Sequence, residues 1–265
     1  MGKIYITDPD TAHDLERRLF AFYGSSSEYF VEAEAGEGNR FHSAIEPLVR
    51  KLASARGSLA VLEPGAGRTT LAKWLHDLKL NEPIHLTVQD VTPINSEYLR
   101  LVADELLVGP LGMHSIAGRF DLIVSTFVYE HLVHPREFLD ACIAALRPGG
   151  ALVIFSPKYT IPGYVPPALR HLPRFRRQWE ALRNSVRSIA TYFTRRPAFK
   201  IVENPAVFEG AWYRDSDAVH LVHPLDARLH LRRIARAEPI YIRSLSCRDK
   251  LWQILGLHGQ VFYKK

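Results

Sequence analysis

Val61-Leu62-Glu63-Pro64-Gly65-Ala66-Gly67-Arg68 is the stretch that decides the fold. The apolar run from Leu59 to Leu62 reads as a buried strand that ends in an acid, and glycines follow at alternate positions. Beyond them Leu71, Trp74, Leu75 and Leu78 recur at helical spacing. The pattern is strand, glycine turn, helix, which aims backbone N–H groups at whatever lies over the turn. It is the corner of a nucleotide-binding α/β fold.

Two phosphate binders fit poorly. A phosphate loop needs Lys and then Ser or Thr after its last glycine, and Gly67 is followed by Arg68 and Thr69. A dinucleotide fingerprint needs a small residue where Thr70 stands, which disfavours a NAD-dependent oxidoreductase. Glu63 ahead of the glycines would repel a pyrophosphate and suits a ligand with a cationic group, such as the α-amino group of S-adenosylmethionine.

At this point the chain resembles the class I methyltransferases that use S-adenosylmethionine. Their first motif is hydrophobics, an acid, any residue, Gly, any residue, Gly, as in Glu63-Pro64-Gly65-Ala66-Gly67. Ile84 to Asp90 resembles their second strand. Its terminal acid lies near the spacing of roughly 20 residues expected for a ribose contact. Phe120 to Ser125 resembles the fourth strand, and Leu146-Arg147-Pro148-Gly149-Gly150 with Ala151 to Phe155 resembles the fifth. The resemblance covers residues 57–157 well and the C-terminal end loosely. It implies a doubly wound α/β domain with a mostly parallel seven-stranded sheet and methyl transfer from S-adenosylmethionine. Glu63, Gly65, Ala66 and Gly67 would hold the amino-acid end of the donor, and Asp90 with Val91 the ribose. Asp104 is the adenine candidate, although it is only 14 residues beyond Asp90. Ser125, Thr126 and Phe127 would pass beneath the methionine moiety.

His131 follows that stretch and is the general-base candidate, because an imidazole accepts a hydroxyl proton near neutral pH. Glu130 stands beside it. The competing reading is that Glu130-His131 caps the next helix and orients its loop. Asp121 reads as a turn residue.

The bulk numbers bound the rest. A chain of 265 residues supports one well-buried α/β domain with an elaboration. The division expected is a helical N-terminal cover over 1–56, a donor-binding core over 57–155, a basic lid over 156–215, and a C-terminal helix with a final strand pair over 216–265. Cys142 falls on an apolar helix face and Cys247 is far from it, so neither a disulfide framework nor a cysteine metal site is expected. No signal-peptide core and no 18-residue apolar run is present, and the expected location is the cytoplasm. Thr11 to Tyr23 reads as an N-terminal helix with Thr11 and Asp14 in capping-box register. Phe41, Ile45, Leu48, Val49 and Leu52 form the apolar side of a second helix. Tyr23, Tyr29 and Phe30 either close over the pocket or pack on the sheet.

Charge is concentrated in the lid. Residues 158–200 hold ten Lys and Arg and one acid, Glu180, whereas the whole chain has 34 bases against 28 acids. Everything outside that segment is net acidic. Ser156 to Pro167, rich in proline and aromatics, should be a stiff loop. Leu172, Phe175, Trp179, Leu182, Val186 and Ile189 form one stripe of a helix with Pro173 at its first turn, and Arg174, Arg176, Arg177, Arg183 and Arg187 lie off it. Three readings stay open. The stripe packs on the domain, the favoured one; or the helix rests peripherally on an anionic membrane; or the arginines read an anionic acceptor. Lys158, Tyr159, Tyr164, Arg170, His171 and Asp217 are the acceptor-contact candidates.

Asp215, Asp217, His220 and His223 raise a metal hypothesis, but His220 and His223 share a face only on a helix, and no metal is expected. Leu225 to Ala235 reads as a helix. Pro239 to Arg243 and Gln260 to Lys264 read as the last two strands. The acceptor favoured is an oxygen of a small molecule, glycan or lipid intermediate, and nucleic acid is disfavoured by the acidic remainder. A donor-binding subunit without catalysis is the alternative.

Overall fold

The strand read over Leu59–Leu62 is β2 (Leu59–Pro64), an interior strand of a seven-stranded sheet. The computed structural model describes residues 5–25, 38–159, 164–209, 216–241 and 257–265. Tyr29, Phe30, residues 160–163, Asp215, Ile242, Arg243 and Cys247 lie outside them.

After β2 the chain runs through α3 (Leu71–Asp77), β3 (Ile84–Asp90), α4 (Ser96–Val102) and β4 (Glu105–Val108). It then crosses to β5 (Phe120–Thr126), α5 (Pro135–Ala145) and β6 (Leu146–Pro157). The last elements are α6 (Arg174–Thr194), β7 (Ile201–Val202), α7 (Pro224–Leu231), β8 (Ala235–Pro239) and β9 (Leu257–Lys264). Sheet order is β4-β3-β2-β5-β6-β9-β8, with the first five strands parallel and β9 antiparallel to both neighbours. Both faces are covered, as a parallel sheet requires. Leu122, Val124, Ala151, Val153 and Phe155 pack with Ile45 and Val49 of α2 (Gly38–Arg56), whereas Ile123, Leu152 and Ile154 face Leu139 and Ile143 of α5. That alternation is the period of two of a strand.

The N-terminal helix α1 (Pro9–Ser25) starts two residues before the expected Thr11. Asp8, not Thr11, supplies the cap: its Oδ2 accepts from Thr11 N at 2.8 Å. Leu15 and Leu19 then pack with Val133, Ile201 and Val219. A short β1 (Tyr5–Ile6) pairs antiparallel with β7.

Three other expectations are corrected. Asp121 is no turn residue but a fully buried strand residue of β5. It accepts from Ala60 N at 3.0 Å and pairs with Arg147 at 2.9 Å and Arg56 at 3.5 Å. The penultimate strand is Ala235–Pro239, ahead of the residues expected from 239 on. The stripe of α6 faces outward. Phe175, Trp179, Leu182, Val186 and Ile189 are exposed, and the buried side carries Glu180, Ala181, Asn184, Ser185 and Thr191. Cys142 is buried on α5 as expected, and burial pushes its thiol far above the usual range. No helix among the described residues is long and apolar enough to cross a membrane.

Candidate functional site

Strands are added on one side of β2 as far as β4, and then on the other side from β5. The carboxyl ends of β2 and β5 therefore flank the switch point where open α/β sheets bind ligands. Gly65 and Gly67 turn there with φ of 64° and 52°, which L side chains tolerate poorly. A Cβ on Gly65 would lie 2.7 Å from a methyl carbon of Val128, so the turn is pressed against the segment that follows β5.

Gln89 and Asp90, at the end of β3, hold the turn in place. Gly65 N donates to Gln89 Oε1 at 3.1 Å, Ala66 N to the Gln89 carbonyl at 2.9 Å, and Gly67 N to Asp90 Oδ2 at 3.0 Å. Gln89 was not legible as a site residue, since only register with β2 gives it this position. Asp90 is buried, and its Oδ1 accepts from Thr92 N at 3.1 Å. Burial raises its carboxyl above the usual range although these backbone donors oppose the shift. The Val91 N–H and the Asn95 side chain also act on this carboxyl and favour its charged form. Val91 beside it is half-buried.

Glu63 is the next-to-last residue of β2, below the turn, and is buried, with the Thr69 hydroxyl donating to its Oε2. Burial pushes its carboxyl up to about 8, with the Thr69 bond working against that. A group so placed is stabilised by any cation brought to it.

Asp104 does not belong to this end of the sheet. The register Thr87↔Glu105 and Asp90↔Val108 puts it just before the amino end of β4, where its Oδ2 accepts from Leu86 N at 2.7 Å. It is several strand residues, on the order of 10 Å, from the level of Asp90. It caps a strand start and is removed from the adenine role.

Beyond β5, Ser125 is fully buried and Thr126 half-buried. Phe127 is held at φ 56°, with its N–H donating to the Phe155 carbonyl at 2.8 Å and its ring edge-on to Phe41 at 4.9 Å. A left-handed non-glycine residue stores strain that its surroundings must hold, and such residues cluster at functional sites. The chain then enters a 3-10 turn, Tyr129–His131. His131 Nδ1 lies 3.0 Å from Asp217 Oδ2, and the Tyr23 hydroxyl donates to that same oxygen at 3.0 Å. The Tyr23 ring stands edge-on to the imidazole at 6.4 Å. Glu130 is fully buried, with Oε1 3.9 Å from His131 Nε2. Burial pushes the Asp217 carboxyl upward, yet His131 and the hydrogen bonds around it outweigh that and hold it below the usual range.

Helix α1 closes over this arrangement. Tyr23 near its C-terminal end reaches Asp217, and a Cβ on the next residue, Gly24, would touch Thr92 at 3.8 Å. The end of α1 thus spans from the Asp90 corner to the His131 corner.

The other acceptor candidates divide. Tyr159 is buried, stacked on Tyr164 at 6.3 Å, and its carbonyl accepts from Asn184. It is part of the packing under α6. Arg170 and His171 are exposed, with His171 Nδ1 2.8 Å from the Ala168 carbonyl. Lys158 is half-buried, and burial lowers its ammonium pKa. Asp217 turns out to be a partner of His131. His220 packs its ring on Tyr129 at 4.8 Å, while His223 accepts from Leu225 N at the start of α7, so they do not converge on one ligand point.

The sequence family described as "Methyltransferase domain" matches residues 15–199. Among solved structures, the plantazolicin methyltransferase in complex with S-adenosylhomocysteine aligns with a TM-score of 0.54 at 12% identity, over 97% of this chain and 98% of that one. A protein from Pyrococcus horikoshii aligns at 0.52 with 12% identity, over 92% and 98%. The 1,6-didemethyltoxoflavin-N1-methyltransferase of Burkholderia thailandensis aligns at 0.50 with 14% identity, over 98% and 91%. At such identities the likeness is one of fold. No curated protein sequence matches the chain.

Proposed function

The chain belongs to the methyltransferase-domain family, and we propose that it carries a methyl group from S-adenosylmethionine to an oxygen of a small-molecule, glycan or lipid-type acceptor, with His131 as the base. The observation that carries this reading is the His131–Asp217 contact at 3.0 Å, set at the carboxyl end of β5 beside the glycine turn.

The residues present fit the donor. Glu63, its carboxyl pushed up to about 8 by burial, suits an ammonium group. The Gly65 turn admits no side chain, and Asp90 stands at the end of β3 beside that turn, where a ribose would lie. When bound, S-adenosylmethionine supplies a methyl on positively charged sulfur, already activated for in-line displacement. The protein then has to align the acceptor, exclude water and take one proton. The end of α1 with Tyr23 serves exclusion. The Asp217 carboxylate, 3.0 Å from Nδ1 of His131, favours the tautomer with its proton on Nδ1 and its lone pair on Nε2. Nε2 takes the acceptor's hydroxyl proton, and the imidazolium so formed is stabilised by the Asp217 carboxylate.

We further assign Lys158, Arg170 and His171 to the acceptor side, within a single domain whose cover is 1–56, core 57–155, lid 156–215 and C-terminal part 216–265. Calorimetric titration with S-adenosylmethionine and S-adenosylhomocysteine tests the donor half of the reading. Both should bind, and Asp90→Ala should weaken each by at least tenfold. Absence of binding by the wild-type protein overturns it.

A further inference from the structure

Helix α6 is mounted inside out. Its inner side is polar and fastened: Asn184 Nδ2 donates to the Tyr159 carbonyl at 2.6 Å, Lys200 Nζ donates to Asn184 Oδ1 at 2.8 Å, and Glu180 is buried beside Tyr5 of β1. Its outer side carries Phe175 (85% exposed), Trp179, Leu182, Val186, Ile189 and Phe193 (77% exposed) over five turns. A face this long and apolar is rare on a surface that meets only water. The polar inner contacts also prevent the helix from rolling to hide it.

Charge decides between the possible coverings. Arg174, Arg195 and Arg196 are exposed along and just beyond the stripe, and the only acid between residues 158 and 200 is the buried Glu180. A second copy docked across a two-fold axis would set these arginines against their own counterparts, which disfavours it. An anionic surface gains from the same charges. Trp179 and Tyr192 are also the residue types that settle at the water–hydrocarbon boundary, and arginine stems extend along apolar surface while their heads reach phosphate.

We infer that α6 docks this protein onto an anionic lipid bilayer, with the stripe Phe175–Trp179–Leu182–Val186–Ile189–Phe193 entering the headgroup–acyl boundary and the flanking arginines meeting lipid phosphates. The docking stands apart from methyl transfer, because it needs neither donor nor acceptor.

Flotation of the full chain with vesicles of phosphatidylcholine alone, or with one third phosphatidylglycerol, tests it. Binding to the anionic vesicles should exceed binding to the neutral ones by at least tenfold and fall with added salt. Brominated lipid should quench tryptophan emission in the wild type and much less in Trp179→Phe. The variant Phe175→Ser/Val186→Ser/Phe193→Ser changes only exposed positions. It should lose vesicle binding tenfold or more while keeping its affinity for S-adenosylhomocysteine. Failure to float with anionic vesicles at low salt, unchanged floating of the triple variant, or a solution dimer that Val186→Glu splits would each overturn the inference.

Discussion

The imidazole of His131 and the carboxylate of Asp217 meet at 3.0 Å, and the Tyr23 hydroxyl donates to the same carboxylate oxygen. One partner follows β5, one precedes α7, and the third comes from the end of α1. A pair held this way sets the imidazole's tautomer and orientation. Asp217→Asn should therefore lower the methyl-transfer rate by about 10²-fold or more, with donor affinity nearly unchanged. Tyr23→Phe removes one hydrogen bond, worth about 1 kcal/mol, and should slow transfer several-fold only. Rates and S-adenosylhomocysteine affinities measured side by side check both.

Glu63 makes stability pH-dependent in an unusual direction. Its carboxyl is raised from 4.5 to about 8 in the folded chain, so between those values the folded state keeps a proton that the unfolded state releases. This group's contribution is full below about 4.5 and is lost as pH rises towards about 8. Melting of the wild type from pH 5 to 9 should fall more steeply than that of Glu63→Gln. S-adenosylhomocysteine, which brings an ammonium group, should flatten the wild-type curve. Parallel curves for the two proteins would contradict this placement of the charge.

The glycine turn is constrained twice, by φ and by Val128. Gly65→Ala puts a methyl 2.7 Å from a Val128 carbon and forces an alanine to φ 64°. The backbone cost is about 1–3 kcal/mol, and the clash adds to it. Gly65→Ala should lower stability and weaken donor binding at least tenfold. Adding Val128→Ala should recover part of the loss, because it relieves the clash but not φ. Thermal melts and calorimetry on the three proteins separate the two contributions.

Asp121 is a fully buried charge whose partners, Arg56 and Arg147, are partly exposed. Removing both arginines strands that charge and should cost about 3–5 kcal/mol. Asp121→Asn leaves an acceptor for Ala60 N and should cost about 1 kcal/mol. Urea denaturation of Arg56→Met/Arg147→Met and of Asp121→Asn gives the comparison.

The central strands were legible because each is an apolar run bounded by a motif residue: Glu63 near the end of β2, Asp90 ending β3, the Gly149-Gly150 turn within β6. β8 was misplaced because its sequence, Ala-Arg-Ala-Glu-Pro, is that of an edge strand with charges outward. Apolar content pointed instead to the residues after it. Asp104 was misread because an acid's spacing says nothing about which end of a strand it will occupy. For α6 the period told which residues share a face, and it was right, but a period carries no information about which face meets the body. Here the polar face does, because Asn184 finds the Tyr159 carbonyl and Lys200 there. The pairing of His131 with Asp217 joins segments remote in sequence and needed the fold.

Methyl transfer measured with labelled S-adenosylmethionine against a panel of hydroxylated lipids, glycans and small molecules, comparing wild type with His131→Ala, tests whether His131 drives transfer to oxygen. The wild type should label an oxygen acceptor. His131→Ala should lose about 10²-fold or more of the rate while binding S-adenosylhomocysteine as the wild type does. Equal rates in the two proteins would contradict it.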